Sequence, residues 1–122
     1  MTRSWLTVPV LAALCGAPAC AEAHAILLES RPAPGGTADA GVIDLWLRFN
    51  SRIDAARSRL TLTRPDHSQV VLPITLPAAA TTDDVLAARF DLPPGAYTLR
   101  WQVLAIDGHI TRGDVGFTVR GR

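Results

Sequence analysis

Between residues 42 and 119 the apolar side chains of this sequence recur at every second position, and that period decides the fold class before anything else is weighed. In residues 42–49, Ile43, Leu45, Leu47 and Phe49 fall on one side while Asp44, Trp46 and Arg48 fall on the other. Leu60 and Leu62 alternate with Arg59, Thr61 and Thr63. Tyr97, Leu99, Trp101 and Val103 alternate with Thr98, Arg100 and Gln102, and Val115, Phe117 and Val119 with Gly116, Thr118 and Arg120. Successive side chains of an extended strand point to opposite faces, so each segment reads as a half-buried strand. Segments 25–29, 69–76 and 85–90 extend the set to about seven strands, with Pro73 demoting 69–76 to an edge or broken strand. Turn signals separate them at Pro34-Gly35-Gly36, Pro65-Asp66, 77–82 and Pro93-Pro94-Gly95. Residues 54–58 are the exception and fit one helical turn. The expected fold is all-β: a seven-stranded antiparallel Greek-key sandwich or barrel, immunoglobulin-like or cupredoxin-like.

The first residues read differently. A basic start at Arg3, an apolar run from Trp5 to Cys15, a break at Pro18 and the small residues Ala21 and Ala23 make up a secretory signal, with cleavage expected after Ala23. The run is shorter than the roughly 20 residues of a membrane span. The expected organisation is a leader over 1–23 and one β-domain over 24–122, exported to the periplasm with no membrane span after cleavage. Cleavage would remove Cys15, Cys20 and Met1, which are all the cysteines and the single methionine. The exported domain would then hold no disulfide and no sulfur ligand.

All twelve basic residues are arginines, and they are scattered rather than gathered in a stripe. A net charge of +1 with that distribution argues against nucleic acid as a partner.

Two features carry chemistry. His24 would become the N-terminus, and a terminal histidine offers two metal donors from one residue, its α-amine and ring Nδ1. Both must be deprotonated to bind, and their reference pKa values of about 7.7–8.0 and 6.5 allow that near neutrality. The second feature is Asp107-Gly108-His109, in which residues two apart can point the same way and Gly108 lets the chain turn. Taken alone, Asp107 and His109 also fit an ordinary loop pair that hydrogen-bonds a turn. Together with His24 they give three nitrogens and one carboxylate oxygen. Such a set suits Cu(II), suits Ni(II) less well, leaves Zn(II) open, and is poor for Cu(I).

At this point the chain resembles the CopC-type periplasmic copper-binding family. The resemblance rests on His24-Ala25, Arg31-Pro32-Ala33-Pro34-Gly35-Gly36, Leu45-Trp46-Leu47-Arg48-Phe49-Asn50, Leu92-Pro93-Pro94-Gly95-Ala96-Tyr97, Trp101, Asp107-Gly108-His109, Gly113 and Phe117. It implies one Cu(II) ion held by the amine and ring of His24, the Asp107 carboxylate and the His109 ring. It also implies a monomeric, non-enzymatic carrier or buffer of periplasmic copper in homeostasis or resistance, working beside an inner-membrane copper transporter of the CopD type. Some members carry a methionine-rich Cu(I) site, which this sequence lacks the residues to build. The family often has an acidic residue just after the position of Asn50, where this chain has Ser51-Arg52.

Two other readings stand beside this one. A copper-dependent oxidase could use His24 and His109 as a histidine brace, and a sandwich of this size could be a metal-free interaction module. His67 reads as a solvated turn tip, Asp83-Asp84 as a polar lead into a strand, and Trp101 and Tyr97 as core. Trp46, on the less apolar face, fits edge packing. Ser30 and Ser51 have no base beside them, and no nucleophile or phosphate-loop motif is present.

Overall fold

The structure, a computed structural model, describes residues 25–75 and 83–121. The expected leader, His24 and the 76–82 connection lie outside the described residues. The described residues form eight strands: β1 (Leu27–Arg31), β2 (Thr37–Asp39), β3 (Gly41–Phe49), β4 (Arg59–Thr63), β5 (Gln69–Leu72), β6 (Val85–Leu92), β7 (Gly95–Leu104) and β8 (Ile110–Arg120). They make two sheets, one ordered β1-β3-β6 and the other β2-β8-β7-β4-β5. The sandwich expected from the alternation is the architecture found.

The two-residue period is what assembles the core. Ile43, Leu45, Leu47 and Phe49 of β3 are all buried, as are Leu60 and Leu62 of β4, every second residue of β7 from Tyr97 to Val103, and Val115, Phe117 and Val119 of β8. They join one apolar cluster drawn from both sheets. Fully burying a Leu, Val or Phe contributes roughly 1.5–3 kcal/mol. The ion pairs, such as Arg89–Asp44 and Arg100–Asp114, lie between largely exposed side chains and contribute about 0–1 kcal/mol each. The core therefore dominates stability.

Two aromatic contacts pack the core, one between the layers and one within the larger sheet. The Phe49 ring meets Trp101 edge-on, with centroids 5.1 Å apart, across the sandwich. Tyr97 stacks on Phe117 of the neighbouring strand at 5.7 Å. The Trp101 indole lies over Gly113, its register partner on β8. A Cβ at Gly113 would come within 2.3 Å of the indole Cζ2, so only glycine admits the ring there.

The expectation of seven antiparallel strands needs two corrections. An eighth strand, β2, is present, and it pairs with β8 in parallel, Thr37 opposite Thr118 and Asp39 opposite Arg120. Three residues, Thr-Ala-Asp, are too few to display a period, and alanine and aspartate are poor strand formers. Its backbone is held by β8 instead, with Thr118 N donating to Gly36 O and Ala40 N to Arg120 O.

The expected strand over 69–76 stops at Leu72, ahead of Pro73. It is an edge strand, as the proline requires. Thr75 then makes an isolated bridge to Ala87 of β6, so this connection passes from one sheet to the other. The expected helical turn is a single turn over Ala55–Arg57. The first strand is displaced from 25–29 to Leu27–Arg31, with a bulge between Leu27 and Glu29.

Candidate metal site

β7 and β8 are joined by residues 105–109, and this connection carries Asp107 and His109. Its shape is set by the backbone. Ala105 N donates to His109 O and Gly108 N donates to Ala105 O, each at 2.8 Å. Closing so tight a turn takes Gly108 to φ +97°, a conformation that disfavours a Cβ.

The result brings the two expected ligands together. Asp107 Oδ1 accepts the His109 backbone N–H at 3.1 Å, and Asp107 Oδ2 lies 3.1 Å from His109 Nδ1. The aspartate side chain is about one-third exposed and the histidine 60 % exposed. A separation of 3.1 Å suits two adjacent donors on one ion, because bonds of about 2.0–2.2 Å meeting near a right angle leave their donors about 3 Å apart. Without a metal, the same geometry is a carboxylate–imidazole hydrogen bond. Among the described residues no cluster of three or more His, Cys, Asp or Glu is present. A fuller donor set needs a contribution from elsewhere, and His24, the third expected ligand, lies outside the described residues.

The residues next to His24 are described, and they converge on this turn. Thr111, two residues beyond His109, donates its hydroxyl to Ala25 O at 3.0 Å. Ala25 is buried in the core cluster. Asn50, at the end of β3, clamps the next residue from both sides: Ile26 N donates to Asn50 Oδ1 at 2.7 Å and Asn50 N to Ile26 O at 3.0 Å. The sequence carried no signal for these anchors, since a threonine and an asparagine at strand ends have many uses.

A third segment flanks the turn. Ile53 bridges Ala105, and Ile106 N donates to Arg52 O at 3.0 Å. Arg52 itself reaches Asp83 Oδ2 at 3.1 Å. Ser51 Oγ is shielded from solvent and has no hydrogen-bond partner among the described residues.

The remaining candidates settle into structural places. His67 sits exposed at a turn tip with φ +71°, in a turn where Asp66 Oδ1 accepts from both Ser68 N and Ser68 Oγ. These hydrogen bonds lower the Asp66 pKa below its ordinary value. Trp46 is stacked by the Arg31 guanidinium, 4.8 Å from the ring centroid. Trp101 and Tyr97 are core residues.

Comparison with known proteins agrees with the architecture. Residues 27–120 match the model of the CopC domain. Protein YobA of Escherichia coli (strain K12) is 30% identical over 102 residues, which span 80% of each chain. Copper resistance protein C of Xanthomonas campestris pv. juglandis is 28% identical over 124 residues and 97% of each chain. The crystal structure of CopC from Methylosinus trichosporium OB3b superposes with a TM-score of 0.72 at 25% identity, covering 81% of this chain and 96% of that one. With its family model matched over most of its length and its sandwich shared with a solved member, this chain belongs to the CopC family.

Proposed function

We propose that this protein is an exported copper carrier that holds one Cu(II) ion, as its cargo, through the amine and ring of His24, the Asp107 carboxylate and the His109 ring. The observation that carries the reading is the 3.1 Å approach of Asp107 Oδ2 to His109 Nδ1, on a turn whose outgoing strand holds Ala25 through Thr111. Residue 24 is one Cα step, about 3.8 Å, from Ala25. The copper-related role is supported by family membership and by the similarity to a copper resistance protein.

The oxidation state follows from the donors. Nitrogen and oxygen ligands suit Cu(II) and serve Cu(I) poorly, and cleavage after Ala23 leaves no cysteine or methionine to add sulfur. A carboxylate ligand also restrains copper redox cycling, which favours carriage over oxidation. Periplasmic location follows from the leader over residues 1–23, and a membrane copper transporter of the CopD type is the expected exchange partner. Protons compete with the metal for amine and ring nitrogens, so affinity falls on acidification.

The reading is tested by titrating Cu(II) into the protein that begins at His24 and into its Asp107→Ala and His109→Ala variants. Both positions are on an exposed turn, so both variants should keep the strand circular dichroism of the parent. Each is expected to lose at least tenfold in affinity and to change the Cu(II) electron paramagnetic resonance spectrum. Unchanged affinity and spectrum in both variants would overturn the ligand set.

A further inference from the structure

The turn that carries Asp107 and His109 is bracketed by two isoleucines that the core does not use. Ile106 is 62% exposed and Ile110 50% exposed. By strand alternation Ile110 lies on the outer side of the five-stranded sheet, where it pairs with Leu104, and Ile106 stands exposed in the turn just beyond β7. The next row on that face is Arg59, Gln102 and Arg112. Arg112 Nε donates to Gln102 at 2.9 Å, and among the described residues no carboxylate forms an ion pair with Arg59 or Arg112. The row after it holds Arg100 with Asp114, so this end of the face carries Arg59, Arg100 and Arg112 against Asp114, with the Asp107 carboxylate on the turn beyond.

Beside Ile106 the surface is concave. A notch of about 150 Å³ lies between residues 51–52 and 105–107, and its lining is almost wholly apolar. The Arg52 guanidinium is drawn aside to Asp83, and the notch is bounded by Ser51, Arg52, Ala105, Ile106 and Asp107. Its volume matches one medium aliphatic side chain.

We propose that this end of the five-stranded sheet docks an acidic protein partner, which seats one aliphatic side chain in the Ala105–Ile106 notch and sets carboxylates against Arg59 and Arg112. An apolar anchor in a pocket with charges at the rim is the usual build of a specific interface. A bilayer fits the surface less well, because it offers no protruding side chain for the notch and would bring the Asp107 carboxylate towards hydrocarbon. The proposal extends the copper reading, since a partner docked here would face the two metal ligands. Its test uses metal-free protein, so failure of docking and failure of copper binding are separately visible.

The probe is the blocked peptide Asp-Glu-Leu-Glu-Asp, titrated into the isotope-labelled protein that begins at His24 and followed by amide shifts. Two control peptides replace the leucine by alanine or the four acids by lysine. The expected result is saturable shifts at Arg52, Ile106 and Arg112 with the first peptide alone. Binding should weaken with added salt and fall about tenfold in an Arg59→Glu/Arg112→Glu double variant. Absence of saturable shifts, or equal binding of all three peptides, would overturn the proposal. So would co-sedimentation with phosphatidylglycerol vesicles in the absence of peptide binding.

Discussion

Thr111 Oγ1 donates a hydrogen bond to the carbonyl of Ala25 at 3.0 Å, which ties the strand leaving the Asp107–His109 turn to the residue that follows His24. The two residues are 86 positions apart in sequence. Thr111→Val keeps the branched shape and removes the donor. It is expected to cost about 1 kcal/mol of stability and to weaken Cu(II) binding by loosening the segment that bears the amine. Denaturant unfolding and a copper titration on the same sample check both; full affinity despite lost stability would separate the anchor from the site.

Tyr97 makes a comparable tie on the far side of the molecule, its hydroxyl donating to Pro93 O at 2.7 Å. Burial raises its pKa above the ordinary value of 10.0. The folded protein thus keeps the phenol proton at a pH where the unfolded chain has lost it. This contribution to stability is complete below about pH 10 and disappears as pH rises through the folded-state value. Tyr97→Phe should lose about 1 kcal/mol at neutral pH and show a shallower alkaline decline. Parallel alkaline declines in the two proteins, measured by denaturant midpoints, would contradict this.

Gly113→Ala tests the packing of the indole. The new methyl would overlap Trp101, whose ring is wedged against Phe49, so the ring cannot simply swing away. A loss of about 1–3 kcal/mol is expected, with a shift in tryptophan fluorescence. Wild-type stability would mean that the core yields more readily than the contacts imply.

His67→Gly should act in the opposite direction. At φ +71° a residue with a Cβ is disfavoured, and glycine there relieves up to about 1 kcal/mol. Copper affinity should not change, because His67 occupies a turn between β4 and β5. A matching loss of affinity would make His67 part of the site.

The alternation of residues 42–49 and 97–103 made the sandwich legible, because a period of two leaves no other way to bury one face of so many segments. Asp107 and His109 were legible as a pair from their spacing, with Gly108 marking the turn; a tight turn over 105–109, and not extended backbone, brings them together. β2 was not, since its three residues owe their conformation to β8 and not to their own pattern. The anchors Thr111 and Asn50 were not either. Each satisfies backbone groups of the 25–26 segment, and nothing local in either residue's sequence marks a partner so distant along the chain.

The central claim is that the site is completed by the α-amine of His24. The most direct measurement is a Cu(II) titration of two proteins, one beginning at His24 and one carrying a single additional residue before it, which converts the amine to a peptide amide. The account expects one-to-one binding by the first and at least a hundredfold weaker binding by the second. Equal affinity in the two would contradict it.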